Sequence, residues 1–309
     1  NFFVTDQMHV IVVMAPSGAL VNRVLIENAV SAVQGQVVEA HRVAVPVSLA
    51  DHREVVKFLI DCPDPEKLSA QLRQLSDGHG ADIALQSRLS RCRPYGLAVF
   101  DMDSTLISCE VIDELARVAG VGAEVAEITD RAMRGELDFD ESFRTRLALL
   151  EGLDAGAVDE LADQLPVQSG LSEMATTLKA RGIKLAIFSG GFIPIAERLK
   201  SDYGFDHVVA NELEIRGGKV TGKVVPPIVN REYKAEALGA LASRLGIHTE
   251  HCIAVGDGAN DLSMMALAGL GVAFHAKPAV RAASPIEITH IGLDGVCYLM
   301  GHEGEFAAA

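Results

Sequence analysis

LAVFDMDSTLISCE, residues Leu97 to Glu110, runs four apolar side chains straight into two aspartates one residue apart, then a serine and a threonine. Four consecutive apolar residues without polar alternation read as a strand buried on both faces, the pattern of a parallel sheet flanked by helices. In open sheets of that kind ligands bind outside the carboxyl ends of the strands. Asp101 stands at such an end. A carboxylate there can hold a hard cation such as magnesium through oxygen, or attack phosphorus as a nucleophile. A lone aspartate after a strand more often caps a turn or the next helix, a task Ser104 and Thr105 serve equally well.

Three later stretches shift that balance. AVGDGANDLSMM (Ala254–Met265) places Asp257 and Asp261 four residues apart behind another apolar strand, with Asn260 beside them. With Asp101 and Asp103 this gathers four carboxyl groups at two strand ends, where they repel one another unless a cation intervenes. IFSGGF (Ile187–Phe192) puts Ser189, Gly190 and Gly191 at a third strand end just before a helix, where backbone N–H groups and a hydroxyl suit a phosphate. PPIVNREYK (Pro226–Lys234) leads into a helix near Lys234, whose ammonium suits a phosphoryl oxygen.

The ordered set D-x-D-S-T, S-G-G, K, G-D-G-x-N-D resembles the haloacid dehalogenase superfamily of aspartyl-phosphate phosphatases, from Phe100 to about Phe274. The resemblance implies phosphoryl transfer to Asp101 followed by hydrolysis. Asp103 would serve first as general acid and then as general base. Magnesium would be held by Asp101, the backbone carbonyl of Asp103 and Asp257, with Asp261 in support. Ser189 and Lys234 would bind the phosphoryl group. An acid at position 103 speaks for a phosphatase, because hydrolysis needs a group to shuttle that proton and a dehalogenase does not.

About 75 residues separate the first two clusters, far more than a strand-to-helix connection needs. An inserted helical cap, about 109–179, is expected there, and cap residues should select the leaving group. ISCEVIDELA (Ile107–Ala116) and ITDRAMRGELDFDESFRTRLALLEGL (Ile128–Leu153) resemble the phosphoserine phosphatases of that superfamily. By this resemblance Glu110 takes the substrate ammonium and Arg146 its carboxylate. Met133 and Phe139 line the pocket, and Gly190 and Asn260 contact substrate or phosphate. Each has a plainer reading: Glu110 as a helix-start acid, Met133 and Phe139 as cap core, Arg146 as a solvated arginine no better placed than Arg144. Glu141 and Asp138 read as surface acids.

The first ninety residues read βαββαβ, a ferredoxin-like arrangement. Strands are expected at Met8–Ala15, from Gly35 to near Pro46, at Arg53–Cys62 and at Ala81–Leu89. Helices are expected from about Gly18 to Gln34 and after Pro63. Element order and length resemble the ACT-like regulatory modules of amino-acid-metabolising enzymes. A packing or homodimerisation domain without a ligand fits equally.

The expected fold is therefore α/β: a Rossmann-like parallel sheet with a helical cap over 93–302, preceded by an α+β ferredoxin-like domain over 1–92. A disordered tail with no legible role is expected over 303–309, and RGGKVTGKV (Arg216–Val224) reads as a turn. A net charge of -15, with no basic stripe, excludes nucleic acid as a partner. No apolar run approaches membrane-spanning length. The opening residues lack a signal-peptide pattern, and five scattered cysteines show no zinc or redox spacing, so a cytoplasmic enzyme is expected. The expected reaction is hydrolysis of O-phospho-L-serine to serine and phosphate, the last step of serine biosynthesis. Its rivals are a related phosphatase or phosphotransferase on another small phosphorylated amino or hydroxy acid and, in a different class, an amino-acid sensor.

Overall fold

The computed structural model describes residues 7–19, 21–302 and 305. The chain divides into two compact units, one of residues 1–95, 169–177 and 272–309, the other of residues 96–168 and 178–271.

The first unit begins with β1 (Met8–Pro16), α1 (Arg23–Ala32), β2 (Gln36–Arg42), β3 (Arg53–Asp61), α2 (Pro65–His79), β4 (Asp82–Ser87) and a one-turn helix α3 (Arg88–Arg91). Its antiparallel sheet has the order β2-β3-β1-β4, the ferredoxin-like order expected from the βαββαβ pattern. Alternation in the strands sends Ile11, Val13, Phe58 and Ile60 to one face, where Ile26, Ala29 and Val30 of α1 and Leu68 and Leu72 of α2 complete the core. Helix α1 starts five residues later than the sequence suggests, because Asn22 Oδ1 accepts the Leu25 N–H at 3.1 Å and fixes the first turn there. Asp64 caps α2 in the same way, and Gly80 ends it at φ +64°. Arg88 and Leu89, expected as the end of the last strand, instead turn helical with Ser90 and Arg91, because the Ser87 hydroxyl accepts the Ser90 N–H.

The opposite face of β1 is equally buried: Val10, Val12 and Met14 are 0 % exposed. The C-terminal part of the same unit accounts for this. Asp82 accepts the backbone N–H groups of Thr289, His290 and Ile291 at 2.7–3.0 Å. Gln86 donates to Leu299 O, and Arg91 donates to Tyr298 O. Arg91 also pairs with Glu305, which lies within the expected tail and is buried, with Lys57 as a second partner. The rest of 303–309 lies outside the described residues. Burial pushes the Glu305 carboxyl up, but hydrogen bonds from Arg91 and Lys57 outweigh it and hold it below the usual range. A depressed folded value means stability that is complete above the unfolded value and is lost as pH falls through the folded one. Glu305→Ala takes the carboxylate away from the buried Arg91, and breaking such a buried pair costs about 3–5 kcal/mol. The urea midpoint at pH 7 should fall accordingly, and the loss should shrink as the pH is lowered through the carboxylate range; a surface-sized effect would exclude a structural role for this ion pair.

The second unit begins with β5 (Leu97–Phe100), and four helices follow: α4 (Val111–Val118), α5 (Gly122–Met133), α6 (Phe139–Ala148) and α7 (Gly156–Asp163). After α8 (Leu171–Ala180) come β6 (Lys184–Phe192), α9 (Ile193–Tyr203), β7 (His207–Arg216), β8 (Lys219–Val225), α10 (Arg231–Leu245), β9 (Cys252–Gly256) and α11 (Leu262–Leu267). The chain closes with β10 (Leu270–Phe274), α12 (Pro278–Ala283), β11 (Glu287–Ile288) and α13 (Gly295–Tyr298). Within this unit the sheet runs β9-β5-β6-β7-β8, and β5 pairs in parallel with β6 on one side and β9 on the other. Residues 97–100 are 0 % exposed, as a strand covered on both faces requires. Lys219–Val225 is strand rather than turn: Gly217 and Gly218 take positive φ and reverse the chain, so that β8 pairs antiparallel with β7.

Candidate active site

The site lies at the carboxyl ends of β5, β6 and β9. The Asp101 N–H bonds to Val255 O at 2.9 Å, so the sheet pairing fixes the point where the chain leaves β5. Residues 102–106 form an irregular turn in which Ser104 adopts φ +58°. Asp101 Oδ1 accepts from the Met102 N–H at 2.8 Å and from Lys234 Nζ at 3.0 Å. Lys234, delivered by the first turn of α10 and 0 % exposed, also donates to Asp261 Oδ1 at 2.8 Å. The second Asp261 oxygen accepts the N–H groups of Asp257 and Gly258, each at 3.1 Å. The Thr105 hydroxyl donates to Asp257 Oδ1 at 3.2 Å.

Carboxylate oxygens of Asp101, Asp257 and Asp261 lie within 4.8 Å of one another, a grouping able to hold a metal ion. Both oxygens of Asp261 are engaged, one by Lys234 and the other by the Asp257 and Gly258 N–H groups. Three buried carboxyl groups face a single ammonium. Burial, then Asp261, pushes the Asp101 carboxyl well above its ordinary value, with Asp257 and Asp103 adding to the rise and Lys234 opposing it. Burial works against the Lys234 ammonium, but Asp101 and Asp261 outweigh that and hold it above the lysine range. A divalent cation would restore the charge balance, so the residues present fit one.

Asp103 Oδ2 accepts from the Val111 N–H at 3.4 Å, and its Oδ1 is buried without a partner. Burial, followed by Glu110, raises this carboxyl well above its ordinary value, the direction that suits a general acid. Ser189 Oγ accepts from the Gly191 N–H at 2.8 Å, curling the turn after the core of β6. A Cβ on Gly191 would lie 2.8 Å from Met102 Cε and 3.3 Å from Asp103 Oδ1, so only glycine lets this turn approach the aspartates.

Glu110 stands at the N-cap of α4 but makes no capping bond through its side chain; Ser104 Oγ donates to its Oε1 at 2.7 Å. Arg146 is half-buried and Arg144 exposed. Burial draws the Arg146 guanidinium down, while Asp113, Glu110 and Asp103 pull it up. Phe139 is 37 % exposed; its ring and the Asn260 amide both come within 4 Å of where a Gly190 Cβ would stand. Asn260 and Phe139 line a cavity of about 380 Å³ together with Asp140, Asn230 and Arg231. Met133, at the end of α5, is 73 % exposed and is the least enclosed of the expected residues.

Three side chains around the site were not singled out from the sequence. Thr105 was read only as a cap. Asn211 is 0 % exposed on β7, donates to Gly190 O at 2.8 Å and accepts from Val229 N–H at 2.9 Å, tying the β6 turn to the loop before α10. Asn230 accepts from Tyr233 N–H and donates to Asp140. The cap that Asn230 makes on Tyr233 is a local signal, but no local pattern betrays the contacts of Asn211, or of Asn230 with Asp140, whose partners lie about twenty to ninety residues away.

With this geometry in hand, comparison with known proteins is informative. The haloacid dehalogenase-like hydrolase family matches residues 95–269. The chain is 45 % identical over 243 residues to phosphoserine phosphatase SerB2 of Mycobacterium tuberculosis, covering 78 % of this chain but 59 % of that protein. It is 45 % identical to the phosphoserine phosphatase of Haemophilus influenzae, covering 71 % of this chain and 70 % of that one. The crystal structure of a HAD family hydrolase from Salmonella enterica serovar Typhi superposes with a TM-score of 0.84 at 31 % identity, covering 96 % and 99 % of the two chains. This chain thus spans about three fifths of the Mycobacterium relative's length. By sequence and fold, the chain belongs to the phosphoserine phosphatase family of haloacid dehalogenase-like hydrolases.

Proposed function

We propose that this protein is a magnesium-dependent phosphoserine phosphatase, hydrolysing O-phospho-L-serine to L-serine and phosphate in serine biosynthesis in the cytoplasm. The observation that carries the reading is the buried Lys234 ammonium set between Asp101 and Asp261 with Asp257 alongside, at the carboxyl ends of β5 and β9. Asp101 and Asp257, with the backbone carbonyl of Asp103, would hold magnesium, which when bound supplies positive charge to offset the phosphoryl oxygens and the carboxylates.

The protein's own groups then divide the work. Asp101 attacks phosphorus through a carboxylate oxygen, and the bond from phosphorus to the serine oxygen breaks. Asp103 delivers its proton to that oxygen, and serine leaves. Asp103, now a carboxylate, takes a proton from water as the water attacks the aspartyl-phosphate, and phosphate departs with Asp101 restored. Lys234 steadies Asp101 and faces the developing charge, and the Ser189–Gly190 turn holds the phosphoryl oxygens. Glu110 takes the substrate ammonium and Arg146 its carboxylate, with Phe139, Met133 and Asn260 closing the pocket. The domain limits that go with this reading are 1–92 and 93–302, with a cap over about 109–179. The first domain serves regulation or homodimerisation. Among the described residues no helix is long and apolar enough to cross a membrane.

The deciding experiment measures phosphate release from phosphoserine, phosphoethanolamine, phosphoglycolate and a simple alkyl phosphate, with magnesium and after chelation. Phosphoserine should lead the two esters lacking one charged group by roughly 100-fold in kcat/KM, from about 3 kcal/mol of lost polar contact. Chelation should abolish release and lower the melting temperature, since a ligand at 100 times its Kd stabilises the native state by about 2.7 kcal/mol. Equal rates across the panel would defeat the substrate assignment, and full activity after chelation would defeat the metal.

A further inference from the structure

Helix α6 carries Phe139 and Arg146, and helix α10 carries Lys234, so the spacing of these two helices sets the distance between the side chains read as substrate-selecting and the phosphate end of the site. One polar contact joins their N-terminal turns. Asn230 Nδ2 donates to the Asp140 carboxylate, at 3.2 Å to Oδ1 and 3.5 Å to Oδ2, across ninety residues of sequence. The same amide faces the other way as well, since Asn230 Oδ1 accepts the Tyr233 N–H at 2.9 Å and caps α10 one residue before Lys234.

Asp140 is fixed with equal care. Asp138 and Glu141 close a capping box around the first turn of α6, with Glu141 N–H donating to Asp138 Oδ1 at 2.7 Å. That box sets the direction in which Asp140 leaves the helix. Both Asp140 and Asn230 are half-buried and border the 380 Å³ cavity that Phe139 and Asn260 also line. A charge-assisted hydrogen bond in partial shelter from water is stronger than a neutral one, and this one borders the same cavity as Phe139 and Asn260.

We propose that Asp140 and Asn230 are positioning residues that fasten the inserted helix α6 to the start of α10, holding Arg146 and Phe139 at working distance from Lys234. Neither residue touches the reacting atoms. The inference rests on the phosphoserine reading of the site only for its kinetic arm.

The pair invites an exchange test, because an aspartate at 230 still caps a helix but meets Asp140 as a like charge. Wild type, Asn230→Asp, Asp140→Asn, the double exchange and Asn230→Ser, which keeps a cap but cannot reach, are compared as full-length proteins. Hydrogen exchange of the α6 amides and KM and kcat for phosphoserine are measured on each. Asn230→Asp should speed α6 exchange and raise KM by about tenfold with a smaller change in kcat, the signature of lost substrate positioning. The double exchange restores a carboxylate-to-amide bond in the reverse sense and should return both readouts to within about threefold of wild type. If Asn230→Asp matches wild type in both readouts, or the double exchange is no better than the single, the fastening role is overturned. Should no variant, wild type included, release phosphate from phosphoserine, the substrate reading fails while the hydrogen-exchange comparison still decides the contact.

Discussion

Asp101→Asn should reduce phosphate release by about 10⁴-fold or more, the scale on which loss of a catalytic nucleophile acts, and leave the fold intact. Asparagine is isosteric, and its carbonyl oxygen can take the place of Oδ1, accepting from Met102 N–H and Lys234 Nζ as the carboxylate does. Its amide then replaces the other oxygen, and an amide nitrogen neither attacks phosphorus nor ligates magnesium. The variant also removes one of three crowded buried carboxyl groups. The folded value of Asp101 is raised, so its contribution to stability is fully present below the unfolded value and is lost as pH rises toward the folded one. At neutral pH without metal the variant should therefore unfold at a urea concentration no lower than wild type. Acid-quenched protein should carry phosphate on wild type and none on the variant. Retained turnover would remove Asp101 from the nucleophile's role, whereas loss of turnover with loss of the native near-ultraviolet spectrum would make the change structural.

The sequence was most legible where strands end in polar clusters. An apolar run such as Leu97–Phe100 has one physical reading, burial on both faces, and the residue after it must emerge at the sheet's edge; Asp101 and Asp257 follow from that rule, whereas Ser189, expected at a strand end, lies inside β6 three residues before its end. The ferredoxin-like order was legible for a related reason, since alternation and turn residues act locally. What escaped is what depends on distant partners. Nothing near Asp82 announces that it accepts three N–H groups from residues 289–291, or near Arg91 that its counter-charge is Glu305. The hairpin of β7 and β8 was missed because two glycines in RGGKVTGKV hid a seven-residue strand whose alternation is weak. Asp103 and Glu110 could be named, but the Ser104 bond that separates Glu110 from an ordinary helix-start acid depends on a left-handed backbone no pattern reveals. Arg146 was selected over Arg144 by family resemblance; in the structure Arg146 is half-buried and Arg144 exposed.

Lys234 is where stability and catalysis meet, and removing it should cost both. Its ammonium is wholly buried between Asp101 and Asp261, so Lys234→Met leaves an apolar side chain of similar length facing two carboxyl groups. Breaking a buried ion pair by deleting one partner costs about 3–5 kcal/mol, and turnover should fall on the order of 10²–10³-fold as the charge opposing the phosphoryl oxygens disappears. The two losses separate with a second substitution. In the Lys234→Met background, Asp101→Asn removes a carboxyl group that has already lost its cation, so the double variant should be more stable than Lys234→Met alone by about 1–3 kcal/mol, a coupling of the size contacting residues show. It remains inactive, because the nucleophile is gone. Magnesium should also raise the urea midpoint of Lys234→Met by more than it raises that of wild type, since a divalent cation at Asp101 and Asp257 then supplies the only positive charge in the cluster. Additive losses in the double variant, or equal magnesium shifts in the two proteins, would mean that Lys234 and the carboxylates do not form one electrostatic unit, and the division of roles among Asp101, Asp257 and Asp261 would have to be redrawn.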